Sequence, residues 1–371
     1  MDEVKITIIG AGVIGLAIGA ELSKNFTDIF IIEKNESFGQ ETSSRNSEII
    51  HAGIYYPQDS LKFKLCREGL QYLYETCEKA SIPHKSVGKM IIATEQSELD
   101  HLERLFQNGI SNGLAELELL DQNEIRKIEP NTNAIAGIYS PRTGIIDSHA
   151  LMKYFVTKAK IRGVEIIYQS EVDLLTKEKE KFVLGLKEDN YRFMSEIVIN
   201  CAGLYSDKIA SLPGLDIDQM GYRIHYCKGD YFAYAKSSPV SILIYPLPDA
   251  FCVGLGIHAT LDLGSRLRFG PDDEYVQDIH YQVDPKKGEK FYQAAQKIIP
   301  NLDREAIVPD MSGIRPKLQG QGDPFRDFII KNEKDQDLNG FINLIGIESP
   351  GLTASIAISR MVSDMVSDIL K

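Results

Sequence analysis

Apolar residues along the chain change their period several times, and each change marks an element. Val4 to Ile9 is a continuous β-branched run and reads as a buried strand. Gly10-Ala11-Gly12 reads as a turn, Val13 to Lys24 as a helix and Asp28 to Glu33 as a second strand, a βαβ unit. Helical spacing returns over Lys62 to Lys79 through Phe63, Leu65, Cys66, Leu70, Leu73 and Tyr74. Val87 to Thr94 reads as a strand and Glu98 to Asn112 as an amphipathic helix. Asp121 caps a short helix through Lys127, closed by Pro130. Short strands over 137–139 and 144–146 flank a turn at Pro141. Asp147 or Ser148 caps a helix to about Arg162, where Gly163 stops it, and Val164 to Tyr168 is a strand. Phe182 to Leu186 and Tyr191 to Met194 read as a hairpin around "KEDN", with Ile197 to Asn200 a further buried strand. From Gly221 to Gly256 the pattern alternates and is rich in aromatic residues and prolines, which predicts an antiparallel sheet. Helical stretches fall within Pro271 to Pro300. The chain ends in a strand (Gly340 to Ile345), the loop "GIESPGLT" and a helix from about Leu352 to Leu370.

Parallel α/β patterning thus occupies the start, middle and end, and two β-rich segments interrupt it. The expected fold is α/β (α+β overall). A discontinuous Rossmann-like nucleotide domain takes residues 1–78, 144–214 and 308–371, and an antiparallel β-sheet substrate domain takes 79–143 and 215–307. The 371 residues, 43% hydrophobic and 25% charged, are ordinary globular composition. A net charge of -12 argues against nucleic acid as a partner. Cys66, Cys77, Cys201, Cys227 and Cys252 are scattered, which argues against a disulfide framework and fits a reducing compartment. Neither they nor the dispersed histidines have metal-ligand spacing, so no metal is expected. "ITIIGAGVIGLAIGA" is apolar, but Asp2 and Glu3 precede it and glycines interrupt it, unlike a signal segment. It also falls short of the roughly 20 residues that span a bilayer. The expectation is a cytoplasmic protein without a membrane span.

Gly10-x-Gly12-x-x-Gly15 follows a strand, opens a helix and is followed by Glu33 at the end of the next strand. Gly10 permits the tight turn, Gly12 lets backbone approach a pyrophosphate, and Gly15 lets helix and strand pack closely. The helix N-terminus offers free N–H groups and a positive dipole to phosphate. Glu33 suits a ribose diol and disfavours a 2'-phosphate. Both FAD and NAD use such a unit. "GIESPGLTAS" adds a second turn at a helix N-terminus, and completion of the site from the far end of the chain suits the larger, flavin-bearing cofactor.

Six stretches carry a resemblance over nearly the whole chain: "GAGVIGLAIGAEL", "SSRNSEIIHAGIYY" with "SLKFKLCREG", "VINCAGLYSDKIA", "YPLPDAFCVGLGIH", "SGIRPKLQG" and "NLIGIESPGLTASIAI". On these, the sequence resembles the FAD-dependent oxidoreductases of the D-amino-acid oxidase and glycerol-3-phosphate dehydrogenase superfamily. Within it, the sequence is most similar to the L-2-hydroxyglutarate dehydrogenase/oxidase family. The resemblance implies non-covalent FAD. The implied contacts are Gly10, Gly12, Val13, Ile14, Gly15, Glu33 and Lys34, then Thr42, Ser43, Ser44, Arg45, Asn46 and Ser47. Further contacts implied are Val172, Ala202, Gly203, Gly313, Arg315, Pro350, Gly351, Leu352 and Thr353. Related sequences usually carry Gly-Val where this chain has Glu48-Ile49, which adds bulk and charge near the flavin edge.

Alcohol oxidation by a flavin needs an anchor for the substrate's charge, a base for the hydroxyl proton, and shielding from water. The resemblance implies Arg315 of "GIRP" as a carboxylate anchor, for which a guanidinium fork is suited. His51 and His258 compete for the role of base. His51 lies in the "HAG" step, and His258 ends "VGLGIH", read as a strand. Tyr55 and Tyr245 are candidate substrate contacts, and Lys317 is a candidate for a distal carboxylate. The implied reaction is oxidation of L-2-hydroxyglutarate, or a similar 2-hydroxy acid, to the 2-oxo acid by hydride transfer to flavin N5. A quinone, another carrier or oxygen then takes the electrons, and quinone use would place the protein at the inner face of a membrane. Rival readings are glycerol 3-phosphate oxidation, a D-amino-acid or sarcosine-type oxidase, and a flavin-binding regulatory module without turnover.

Overall fold

The computed structural model describes residues 1–187, 190–248 and 256–371. Three sheets organise the chain, and the first follows from the opening βαβ unit. Strand Asp2–Ile9 pairs in parallel with Ile29–Ile32 on one side and with Tyr191–Asn200 on the other. Eight strands complete this layer, including a terminal strand, Phe341–Ile345, parallel to the end of Tyr191–Asn200. Tyr191–Asn200 is one continuous strand, where the sequence pattern reads as two. Ser195 breaks the apolar run, yet it is fully buried. Its hydroxyl accepts from Thr7 Oγ1 and donates to the Ile197 carbonyl, so the polar side chain is satisfied without leaving the sheet. The antiparallel pairing of Lys181–Leu186 with this strand agrees with the expected hairpin, while Glu188 and Asp189 of its turn lie outside the described residues.

Helices cover the first sheet. Val13–Leu22 packs against Ser148–Ile161 and against the terminal helix Gly351–Ile369, which in turn packs on Leu61–Ala80. Asp147 accepts the N–H of Ala150 and caps Ser148–Ile161, and Asp121 forms a reciprocal capping box with Glu124 at Gln122–Ile128. Residues on this side form a core through Ile6, Ile8, Leu16, Ile18, Leu70, Leu151 and Val362.

The second sheet has nine strands, drawn from 89–140 and 225–317. It is antiparallel with one departure from expectation: Leu243–Pro246 runs parallel to Lys89–Ala93. These strands come from the two different segments and meet at the seam between them, where no hairpin sets their direction. Strand Ile307–Lys317 pairs along its length with His225–Tyr234. The expected return to the nucleotide domain at residue 308 therefore falls at the start of a strand of the second sheet. A small third sheet, Ile49–Ile50 with Gly144–Ile146 and His84–Lys85, lies between the two layers. Ile49 packs into the core of the second layer and its neighbour Ile50 into that of the first, as alternation along a strand requires.

Candidate active site

The end of the first strand builds the site's floor. Gly10 has φ +106, and a Cβ there would come 2.6 Å from the Cys201 carbonyl oxygen. A Cβ on Gly15 would lie 2.0 Å from the Gly10 oxygen, so this glycine lets the helix start against the turn. No acidic side chain occupies the first turn of Val13–Leu22. Glu33 is buried, with one carboxylate oxygen accepting from Ala11 N at 2.8 Å and the other from Asn35 N at 2.9 Å. Each oxygen keeps acceptor capacity for a diol.

The segment 42–51 crosses from this floor to the second sheet. Thr42–Ser44 forms a 3-10 turn, and the Ser43 hydroxyl accepts the N–H of Val13. Thr42 Oγ1 donates to the Ile314 carbonyl at 2.9 Å. Gly313 lies so close that a Cβ would fall 2.0 Å from the Arg45 oxygen. These contacts bring the strand bearing Arg315 onto the segment. Asn46 donates to the Thr42 and Ser43 carbonyls, and Ser47 shares a hydrogen bond with Tyr231. Arg45 lies over the Tyr281 ring at 4.0 Å, and its buried Nε has no partner among the described residues.

Glu48 has φ +56, a conformation that glycine adopts most easily. Its carboxylate accepts from the Ser148 N–H at 2.9 Å and the Ser148 hydroxyl at 2.7 Å. The charge expected near the flavin edge is thus tied to the positive end of the helix Ser148–Ile161.

Between the layers lies a cavity of about 470 Å³. Its walls include Gly10, Gly12, Val13, Ile14, Glu33, Lys34, Thr42, Ser43, Arg45, Asn46 and Ser47. Val172, Ala202, Gly203, Gly313, Pro350, Gly351 and Leu352 also line it, as do His51, Tyr245, His258 and Arg315. Gly15, Ser44, Thr353, Tyr55 and Lys317 lie off the lining. Thr353 is buried behind it, accepting the His51 N–H at 3.0 Å and donating to the Ile49 carbonyl. Ser44 donates to the Glu41 carbonyl, and Lys317 is buried two residues beyond Arg315.

Also on the lining, His258 stacks on Tyr245 with ring centroids 3.9 Å apart and planes 22° from parallel. His258 precedes the strand Ala259–Leu261 and is not within one. Residues 249–255, which hold the first half of "VGLGIH", lie outside the described residues. His258 Nδ1 sits 2.8 Å from the Gly256 carbonyl, which can only accept. The proton is therefore on Nδ1, and Nε2 carries a lone pair. His51 Nε2 contacts the Ser349 hydroxyl at 3.2 Å. Burial, then the charge of Lys89, then His258 depress the His51 imidazole to about 3. Burial first, with Lys89 and Arg315 adding, brings His258 to about 3 as well, against the opposing Gly256 hydrogen bond. Both rings are neutral near pH 7. Arg315 donates to the Asp272 carbonyl at 2.9 Å, which fixes the guanidinium at the wall.

The arrangement is a dinucleotide cradle leading to two neutral imidazoles and a guanidinium. The profile of the FAD dependent oxidoreductases (DAO) matches residues 5–365. The chain belongs to this family of FAD-dependent oxidoreductases. It is 36% identical to the mitochondrial L-2-hydroxyglutarate dehydrogenase of Arabidopsis thaliana, over 98% of this chain and 83% of that protein. It is 32% identical to glycerol 3-phosphate dehydrogenase of Caloramator mitchellensis, over 99% of this chain and 74% of that protein. In fold it resembles the FAD-bound L-α-glycerophosphate oxidase of Mycoplasma pneumoniae, with a TM-score of 0.88 at 24% identity, covering 99% and 95% of the two chains.

FAD is thus the family's cofactor, and the residues fit it: glycines that admit no Cβ at the turn, a buried carboxylate at the strand end, and an unpartnered Arg45 Nε. One residue of this family member escaped the sequence reading. Lys89 is 1% exposed and holds its ammonium against two tyrosine rings. Its signal was a lone lysine within the apolar run "VGKMIIA".

Proposed function

We propose that the protein oxidises L-2-hydroxyglutarate, or a similar 2-hydroxy acid, to the 2-oxo acid. The observation that carries this reading is the presence of Arg315 and two neutral imidazoles in the lining of one cavity. Identity to the Arabidopsis enzyme over nearly the whole chain supports the substrate. Bound FAD supplies the two-electron acceptor for the substrate's Cα hydride. Arg315 holds the C1 carboxylate through its planar fork. His258 Nε2 takes the hydroxyl proton, since its tautomer leaves that lone pair free. His51, pinned through its backbone by Thr353, is the second ring that orders the hydroxyl end. The Tyr245–His258 stack closes the wall against water.

In this reading the eight-stranded layer and its helices, drawn from residues 1–78, 144–214 and 318–371, hold FAD. The nine-stranded sheet, from 79–143 and 215–307 together with the strand to Lys317, forms the substrate side. Among the described residues no helix is long and apolar enough to cross a membrane. Reoxidation by a quinone, a carrier or oxygen completes the cycle, in the cytoplasm or at the inner face of a membrane.

Absorbance of the purified holoenzyme, recorded before and after anaerobic addition of L-2-hydroxyglutarate, tests the reading. Loss of the oxidised-flavin bands supports it. Unchanged bands with L-2-hydroxyglutarate, and bleaching with glycerol 3-phosphate, would move the protein to the activity named for the Caloramator relative.

A further inference from the structure

We propose that Lys89 reads a second negative charge on the substrate, the distal carboxylate of a 2-hydroxy diacid. The inference rests on the function proposed above and assigns its specificity. Lys89 lies on the strand Lys89–Ala93 and is 1% exposed. Its Nζ sits 4.7 Å from the centre of the Tyr55 ring and 4.8 Å from that of Tyr245. Among the described residues it makes no ion pair and no hydrogen bond. Two other buried lysines differ: Lys62 pairs with Glu348 at 2.9 Å and Lys228 with Asp230 at 3.1 Å.

A buried cation held only by ring faces is incompletely compensated, because a ring quadrupole replaces little of the lost hydration. The hydroxyl carried by the Tyr55 ring is buried with no hydrogen-bond partner among the described residues. An ammonium and an idle hydroxyl donor together form a carboxylate receptor. Lys89 and Tyr55 lie just behind the cavity lining, and Tyr245 joins the pair to it: Tyr245 lines the wall, stacks on His258 and lies under the Lys89 ammonium. Arg315 serves the other end of the molecule, so two cations on different strands set a length and a charge count. A monoacid leaves Lys89 without a counter-ion. The titratable groups facing Lys89 are Tyr55, Tyr245, His51, His258 and Cys66, none of them an anion near pH 7. Burial brings the ammonium down to about 7. Arrival of a carboxylate raises it again, so binding a dianion above that pH takes up a proton.

The experiment measures dissociation constants of glutarate, butyrate and glycerol 3-phosphate for the holoenzyme by titration calorimetry and flavin difference spectra. Wild type prefers glutarate to butyrate, and Lys89→Met loses about 10- to 100-fold on glutarate while butyrate stays within about 3-fold. Lys89→Arg keeps the preference. In wild type at pH 8, calorimetry in buffers of different ionisation enthalpy shows uptake approaching about one proton with glutarate and none with butyrate. This wild-type measurement stands even where Lys89→Met does not fold. Equal weakening of both acids in Lys89→Met, or absence of any glutarate preference in wild type, overturns the assignment. Glycerol 3-phosphate binding tighter than glutarate, and lost in Lys89→Met, gives the cation to a phosphate and also overturns it. Glutarate and butyrate carry no hydroxyl to oxidise, so the glutarate preference is read separately from whether L-2-hydroxyglutarate reduces the flavin.

Discussion

Thr353 Oγ1 accepts the backbone N–H of His51 at 3.0 Å, although 302 residues separate them in sequence. The same hydroxyl donates to the Ile49 carbonyl, so one side chain at the start of the terminal helix fixes both ends of the segment Ile49–His51. Thr353→Val keeps the shape and removes both bonds. The expected result is a loss of about 1–3 kcal/mol, since a buried N–H is left unpaired. Flavin reduction slows while FAD content stays near wild type. Thermal unfolding together with stopped-flow reduction measures the two effects.

The two histidines carry unequal expectations. His258→Ala removes the ring whose Nε2 lone pair is free, and the limiting rate of flavin reduction falls by about 10²- to 10⁴-fold. His51→Ala is expected to cost less. A larger loss in His51→Ala would transfer the role of base to that residue.

Both imidazoles sit near 3 in the folded protein, below the ordinary value of 6.5. Between those limits the unfolded chain binds more protons than the folded one. Stability is therefore fully present above pH 6.5 and is lost as pH falls from 6.5 towards 3. Urea midpoints at pH 7.5 and pH 5 measure the slope, and His258→Gln flattens it. For the same reason kcat/KM shows no titration near 6.5 from either ring.

Gly313 and Gly203 make a contrast in space. A Cβ at Gly313 would fall 2.0 Å from the Arg45 oxygen, and backbone must move to admit it. Gly313→Ala is expected to lose FAD and activity together. Gly203 has φ +54 with nothing within 4 Å of the position of a Cβ. Gly203→Ala therefore meets no protein atom and costs about 1 kcal/mol of backbone strain. Flavin content after gel filtration reads the first, and thermal unfolding reads the second.

Glu48→Gly relieves a left-handed conformation and gives up the bonds to Ser148. The two effects oppose, so stability shifts by within about 1 kcal/mol. Because the carboxylate is already satisfied by the helix N-terminus, KM for the 2-hydroxy acid changes by less than about 3-fold, read from initial rates.

Local features were legible in the sequence because local rules govern them. The glycine turn, Glu33, the caps at Asp121 and Asp147 and the terminal helix each rest on neighbours a few residues away. Features made by distant partners were not. Ser195 read as a strand break because Thr7, whose hydroxyl donates to it, lies 188 residues away and meets it only in the folded sheet. The parallel pairing of Leu243–Pro246 with Lys89–Ala93 leaves no turn signal. His258 reads as a strand residue, yet it lies just before the strand Ala259–Leu261, whose start is set by pairing with Leu243–Pro246 and Leu267–Phe269. Lys89 looked like one polar position in an apolar run, and its isolation emerged only when Tyr55 and Tyr245 closed around it.

Ile49 and Ile50 each commit to a different core, one peptide bond apart. A rotation of one layer against the other must shear that bond's flanking side chains out of their packing. The reach from floor to wall is thereby clamped: the ruler that spaces the dinucleotide cradle from the histidine wall is two residues of covalent chain. Variation in substrate choice within this architecture is then expected to come from side chains along the wall and not from a change in its distance to the cofactor.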